Sequence, residues 1–138
     1  MPIFEYDDSE SVKEVKTEFD SRYCINLLPT PKFHEFDLKD RENKVVVEVK
    51  KRGLEHDKLN STIMGYNKLI KAKQYIKRGY IVYFAFLFTD GLYYYKYDGR
   101  DYPKRQWART DRGYDEFKDY FFIHVDDLKP WIEVEYEF

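Results

Sequence analysis

The sequence predicts an α/β domain in which a central mixed sheet is flanked by helices. Apolar residues recur at helical spacing in two stretches, 9–22 and 60–78. The short run 44–50 is dominated by valine, a β-branched residue that favours strands. The run 80–88 is apolar at every position, which is typical of a central strand covered by helices on both faces.

Each element has its own local signal. The first helix carries an apolar stripe of Val12, Val15 and Phe19. The second helix is expected to end at Gly79, a residue that commonly terminates helices. Pro29 closes the strand predicted before it. The predicted elements, in order, are a helix over 9–22, strands over 23–28, 32–39 and 44–50, a helix over 60–78, strands over 80–88 and 92–98, a long loop over 99–118, a strand over 120–125 and a helical turn over 126–131.

Length and composition limit the class of protein. The chain has 138 residues, which suits one domain spanning 1–138. Its 43% hydrophobic content and net charge of −2 exclude an intrinsically disordered chain. Cys24, the single cysteine, cannot form an internal disulfide, and with three isolated histidines it does not make a zinc site. The longest apolar run, 81–88, is far shorter than the roughly 20 residues of a membrane helix, so we expect a soluble cytoplasmic protein.

The candidate site lies on the strand predicted over 44–50. Period-two alternation places Glu48 and Lys50 on one face of this otherwise apolar strand. If the preceding turn is symmetric, Asp37 lies opposite Val46 and shares a face with Glu48. Two carboxylates and a lysine at a strand edge suit a hard cation such as Mg²⁺, with open positions for water and phosphate. The alternative is an ion pair on a solvated sheet edge.

The context of this Glu-x-Lys tripeptide distinguishes it from the other copies, at 14–16, 42–44 and 116–118. Only the copy at 48–50 ends a valine run, follows a strand that carries an aspartate and precedes a long helix. This pattern resembles the PD-(D/E)XK nuclease superfamily, which implies a restriction-endonuclease-like αβββαβ core. The resemblance covers residues 9–88, with Phe36 where the signature has proline. Residues 92–138 have no counterpart in the minimal core, and we expect them to form a C-terminal β-rich elaboration.

The resemblance also implies roles for individual residues. Asp37, Glu48 and the backbone carbonyl of Val49 would be ligands of Mg²⁺, with Mn²⁺ as a substitute. Lys50 would position or deprotonate the attacking water and stabilise charge in the transition state. Many members of the superfamily add an acid from the first helix. The favoured candidate here is Glu18, with Glu10 and Glu14 as alternatives.

The distribution of charge bears on the partner. A net charge of −2 taken alone argues against a nucleic-acid binder. Residues 50–78, however, contain nine basic and two acidic residues, a local excess of +7. Within this segment, the residues expected to hold a phosphate backbone are Lys51, Arg52, Lys68 and Lys71. A second basic cluster with interleaved aromatic residues could bind unpaired bases or pack onto its own domain; it comprises Arg100, Tyr102, Lys104, Arg105, Trp107, Arg109, Arg112 and Tyr114.

These observations favour a metal-dependent nuclease, with DNA as the expected substrate and endonucleolytic cleavage as the expected mode. One alternative is a catalytically inactive module of the same fold that binds nucleic acid or serves assembly. Another is an RNA-directed endonuclease. Members of the family often act as dimers, so a homodimer is a further expectation, although no apolar patch in the sequence identifies an interface.

Overall fold

The computed structural model describes residues 9–31, 36–109 and 116–132, without the side chains of 107–109 and 116–118. Within these ranges lie two helices, α1 (Ser9–Tyr23) and α2 (Tyr66–Lys77), nine strands and a 3₁₀ turn at Val125–Asp127. The strands are β1 (Leu28–Pro29), β2 (Leu38–Asp40), β3 (Val45–Lys51), β4 (Ser61–Gly65), β5 (Ile81–Phe88), β6 (Gly91–Lys96), β7 (Arg105–Arg109), β8 (Glu116–His124) and β9 (Lys129–Pro130).

Two sheets organise the chain. The larger has the strand order β1-β2-β3-β5-β6-β9, and the smaller has the order β4-β8-β7. Strands β3 and β5 run parallel, with Val46 paired to Val82, whereas the other pairs are antiparallel. The crossover from β3 to β5 contains β4 and α2. The mixed α/β class predicted from the sequence is confirmed.

The valine run of β3 separates two hydrophobic clusters. Val47 and its neighbours of the same face pack with Phe19 of α1. Val46 faces the other way and packs with Leu69 of α2. Because side chains alternate along a strand, Glu48 lies on the α2 face of the sheet. The alternation therefore places the carboxylate of Glu48 in the core, near the end of the valine run.

The strand predicted over 23–28 is wrong. Helix α1 continues to Tyr23, and Cys24 ends it with a φ of 53°. Only Leu28–Pro29 forms a strand there. The strand predicted over 32–39 is found at Leu38–Asp40, while residues 32–35 lie outside the described part of the chain.

The start of the second helix is also wrong. Residues Ser61–Gly65 form strand β4, and the helix begins only at Tyr66. Thr62 and Met64 are buried, while Ser61, Ile63 and Gly65 are half-buried, an alternation that is typical of a strand. Pairing with β8, distant in sequence, overrides the helical spacing of the segment.

The loop predicted over 99–118 contains strand β7 and the start of β8, while residues 110–115 lie outside the described part of the chain. Arg105–Arg109 pairs with residues 116–120, so Arg105, Trp107 and Arg109 lie on a strand, whereas Arg100, Tyr102 and Lys104 precede it. The predicted helical turn over 126–131 is replaced by the 3₁₀ turn and by β9, which pairs with β6. No helix among the described residues is long and apolar enough to cross a membrane.

Candidate active site

The β2–β3 pairing brings the two predicted carboxylates together. Leu38 pairs with Val47, so Asp37 stands next to Glu48 where β2 begins. The register differs by two residues from the expected one, in which Asp37 faced Val46. A shift of two residues keeps each side chain on its face. The Oδ2 atom of Asp37 accepts a hydrogen bond of 2.9 Å from the backbone N–H of Val49, which orients the carboxylate.

Glu48 is the most unusual residue of the site because its carboxyl group is buried, with 3% of the side chain exposed. Its Oε2 atom lies 3.1 Å from Nζ of Lys50 and 3.3 Å from Nζ of Lys68. Its Oε1 atom is buried and accepts no hydrogen bond from the described residues. Buried polar atoms are normally satisfied, and an exception calls for a functional explanation.

Burial raises the pKa of Glu48 from 4.5 to about 7. Lys50 and Lys68 oppose the rise, whereas the charge of Asp37 and its hydrogen bond with Glu48 add to it. Two adjacent carboxyl groups do not both ionise readily without a compensating cation. The carboxyl pair therefore retains a proton close to neutral pH, and a bound cation would displace it.

The donor atoms fit a hard divalent cation. Asp37 and Glu48 supply carboxylate oxygens, including the unsatisfied Oε1 atom. The N–H and C=O groups of one strand residue point to the same edge, so the Val49 carbonyl lies on the side of Asp37. The described residues contain no cluster of three or more His, Cys, Asp and Glu side chains. A cation held here would keep several water ligands, as Mg²⁺ commonly does.

The chain also matches a known protein family. A family model described as "Phage putative PDDEXK endonuclease" matches residues 3–135. The chain belongs to this PDDEXK endonuclease family. No curated protein matches the chain. The match extends well past residue 88, so it includes the strands that follow the minimal nuclease core.

In this member of the family, Lys68 joins the carboxylate pair from another element. It lies in the first turn of α2, and its side chain is 18% exposed. Lys68 was predicted from the sequence to bind phosphate, but its contact with Glu48 was not predicted. The predicted helix began at residue 60, so nothing in that prediction distinguished Lys68 from the other lysines of the helix. Only the later helix start at Tyr66 places Lys68 in the first turn, beside the site.

The other residues expected to bind phosphate have different surroundings. Lys51 is exposed at the end of β3, and Lys71 is half-buried on α2. Arg52 donates hydrogen bonds to Oγ1 of Thr62 at 3.2 Å and to the carbonyl of Ile63 at 2.6 Å. Its guanidinium thereby links the end of β3 to β4.

The structure places the first-helix acid away from the carboxylate pair. Glu18 accepts a hydrogen bond of 2.9 Å from Nε1 of Trp131. Helix α1 packs Val15 and Phe19 into the cluster on the face of the sheet opposite Glu48. The alternatives Glu10 and Glu14 are exposed on the same helix.

The second basic cluster divides into two parts. Tyr102 packs onto the domain, since its hydroxyl donates to that of Tyr95 and its ring lies 5.1 Å from Phe121. Arg100 forms an ion pair with Asp98. Arg105 and Lys104 remain exposed on or beside β7. Arg112 and Tyr114, together with the side chains of Trp107 and Arg109, lie outside the described residues.

A cleft of about 580 Å³ adjoins the site. Lys50 lies at its border, and β4 and β8 supply Ile63, Tyr120 and Phe122. His56 also lines it, with Nδ1 2.5 Å from Oδ2 of Asp90. Clefts of this volume are typical of ligand-binding sites. The cleft was not predicted from the sequence, because the residues of strand β4 were assigned to a helix.

Proposed function

We propose that the protein is a Mg²⁺-dependent nuclease that hydrolyses phosphodiester bonds in DNA. The observation that carries the proposal is the buried carboxyl group of Glu48, next to Asp37, with one oxygen that accepts no hydrogen bond from the described residues. Buried carboxylates with a perturbed pKa beside a cleft are typical of catalytic sites. The endonuclease family to which the chain belongs supports the same reaction class.

In this proposal Asp37, Glu48 and the backbone carbonyl of Val49 hold the cation. A bound Mg²⁺ supplies an activated water and stabilises negative charge on the phosphate. Asp37 is suited to hold the cation because the Val49 N–H fixes its orientation. Glu48 is suited because burial withholds water from its carboxylate, so its Oε1 atom loses little hydration on binding a cation.

The two lysines have separate tasks. Lys50 is one-third exposed and borders the cleft, so its ammonium can contact a phosphate oxygen or the attacking water. Lys68 is more deeply placed and favours the ionised form of Glu48. Preorganised positive charge near a developing negative charge is usually the largest contribution to catalysis.

Cleavage of supercoiled plasmid and of single-stranded DNA with Mg²⁺ or Mn²⁺ tests the proposal. The variants Asp37→Asn, Glu48→Gln, Lys50→Ala and Lys68→Ala should each lower the rate at saturating substrate, by about 100-fold if each removes one electrostatic contact. Glu18→Gln and Lys77→Ala are matched controls away from the carboxylate pair and should cleave like the original protein. Undiminished cleavage by Asp37→Asn and Lys50→Ala would contradict the assignment.

The same experiment separates the alternatives. A catalytically inactive module would bind nucleic acid without turnover and without regard to metal. An RNA-directed enzyme would cleave an RNA strand in preference to a DNA strand of matched sequence. Preferential cleavage of DNA in the presence of the cation is the expected result.

A further inference from the structure

The small sheet has one buried face and one open face. Along β8, Phe121 and Ile123 are buried in the core that includes α2. Tyr120 and Phe122 alternate with them and are half-buried on the other face. Phe122 pairs with Ile63 of β4, so aromatic and aliphatic side chains stand side by side on the open face.

This open face is one wall of the cleft at the candidate active site. Tyr120, Phe122 and Ile63 line the cleft together with Lys50 of the carboxylate site. Leu59, on the loop before β4, also lines it and is 60% exposed. An apolar aromatic wall therefore begins at the side chain that would contact the scissile phosphate.

Two cationic side chains, Lys50 and Arg52, line the cleft, and no Asp or Glu is among the described residues that do so. His56 also lines it and is paired with Asp90, a carboxylate that is not among the lining residues. At its border the guanidinium of Arg105 lies 5.7 Å from the ring centroid of Phe122. A cleft with cations at the border and aromatic rings within complements a chain of phosphates that carries flat apolar groups.

We propose that this face binds an unpaired DNA strand, with bases stacked on Tyr120 and Phe122 and the scissile phosphate at Lys50. The proposal rests on the proposed nuclease function and names its substrate as DNA that is single-stranded at the cleavage point. In a duplex the faces of the bases are covered by their neighbours, and a base must leave the stack before it reaches a side chain in a cleft. An unpaired strand offers those faces directly.

Fluorescence anisotropy in EDTA tests this without cleavage. The probes are a fluorescein-labelled oligothymidylate and a labelled hairpin duplex. Phe122→Leu keeps apolar bulk but removes the ring, and it should weaken binding of the single strand by about 5- to 150-fold, the effect of one lost stacking contact. Phe122→Tyr retains the ring and should bind like the original protein. Neither change should alter the affinity for the duplex.

Tyr120→Leu gives an independent measurement, and a thermal melt of each variant verifies that it is folded. Tighter binding of the duplex than of the single strand, or equal affinities of Phe122→Leu and the original protein, would overturn the inference.

A parallel assay with Mn²⁺ compares the cleavage of a fully paired duplex with that of a duplex that contains an unpaired bubble. Cleavage of the paired duplex but not of the duplex with the bubble would overturn the inference and leave the nuclease proposal intact. Absence of any cleavage with single-strand binding retained overturns the nuclease proposal instead.

Discussion

At the scale of single residues, the candidate site contains a carboxyl group whose burial is unfavourable. Burying a charge requires compensation, and Glu48 receives it from two ammonium groups that both lie near Oε2. Its Oε1 atom is left without a hydrogen-bond donor among the described residues. The pKa of Glu48 is raised because its buried charge is incompletely compensated, and a bound cation would lower this pKa.

The first prediction concerns stability against pH in EDTA. The pKa of Glu48 is about 7 in the folded protein and 4.5 as an ordinary glutamate, so the folded state binds the proton more tightly. The contribution of Glu48 to the free energy of unfolding should therefore be largest below about pH 4.5. It should fall by about 3 kcal/mol as the pH rises to about 7. Urea unfolding between pH 5 and 8 measures this.

Glu48→Gln provides the control for the pH profile. The amide cannot ionise, so the variant should lose the fall in unfolding free energy across this range. Asp40 and Asp90 do not confuse the comparison, because their pKa values are lowered and they titrate at more acidic pH. Parallel profiles for the variant and the original protein would show that Glu48 is not the group responsible.

At the scale of elements, the turn between β2 and β3 sets the geometry of the site. The carboxylate of Asp40 accepts hydrogen bonds from the backbone N–H and the side-chain amide of Asn43, at 2.9 and 2.8 Å. It also accepts one from the backbone N–H of Asn26 at 2.9 Å. Burial alone would raise the pKa of Asp40, but these hydrogen bonds outweigh it and lower the pKa below 3.8. The turn holds the register that places Asp37 beside Glu48.

The second prediction is that Asp40→Ala destabilises the protein and impairs cleavage. Removing a buried acceptor leaves its donors unsatisfied, which costs about 1–3 kcal/mol. Denaturant unfolding at neutral pH should detect the loss, and metal-dependent cleavage should fall in variants that remain folded. Arg41→Ala, at the exposed neighbouring position, should change stability by less than about 0.5 kcal/mol. Equal effects of the two substitutions would argue against the turn as the determinant of register.

At the scale of the whole molecule, the net charge of −2 conceals a segregated distribution. Residues 50–78 carry an excess of +7, whereas residues 5–20 carry seven acidic and two basic residues. The overall field is weak, so the proposed attraction of DNA would depend on the cations near the cleft. Binding should therefore be local and sensitive to salt.

The third prediction quantifies this salt dependence in EDTA. A single strand held by three or four cation–phosphate contacts gives a slope of about −2 to −3 in a plot of log affinity against log salt, since each contact contributes about −0.7. Arg105→Ala removes a cation beside the cleft and should make the slope shallower by about 0.7. Arg41→Ala, at the opposite end of β3 from Lys50, should leave it unchanged. Affinity independent of salt would contradict the role given to these cations.

Features that depend on residues close together in the sequence were predicted, whereas features that depend on contacts between distant segments were not. Alternation and β-branching identified β3 and put Glu48 and Lys50 on one face, because these signals lie within a few residues. The long helical spacing identified α1 to within one residue. Strand β4 was mistaken for helix because its partner β8 lies far along the chain.

The α/β class and the PD-(D/E)XK resemblance followed from the sequence alone, together with Asp37, Glu48 and Lys50 as the expected site residues. Tertiary structure decided that Asp37 stands beside Glu48, that Lys68 reaches Glu48 from α2, and that an aromatic cleft opens next to Lys50. The physical reason is that strand partners and helix docking depend on packing between distant segments, which local propensity does not encode. The candidate site residues could thus be named from the chain, whereas their surroundings required the fold.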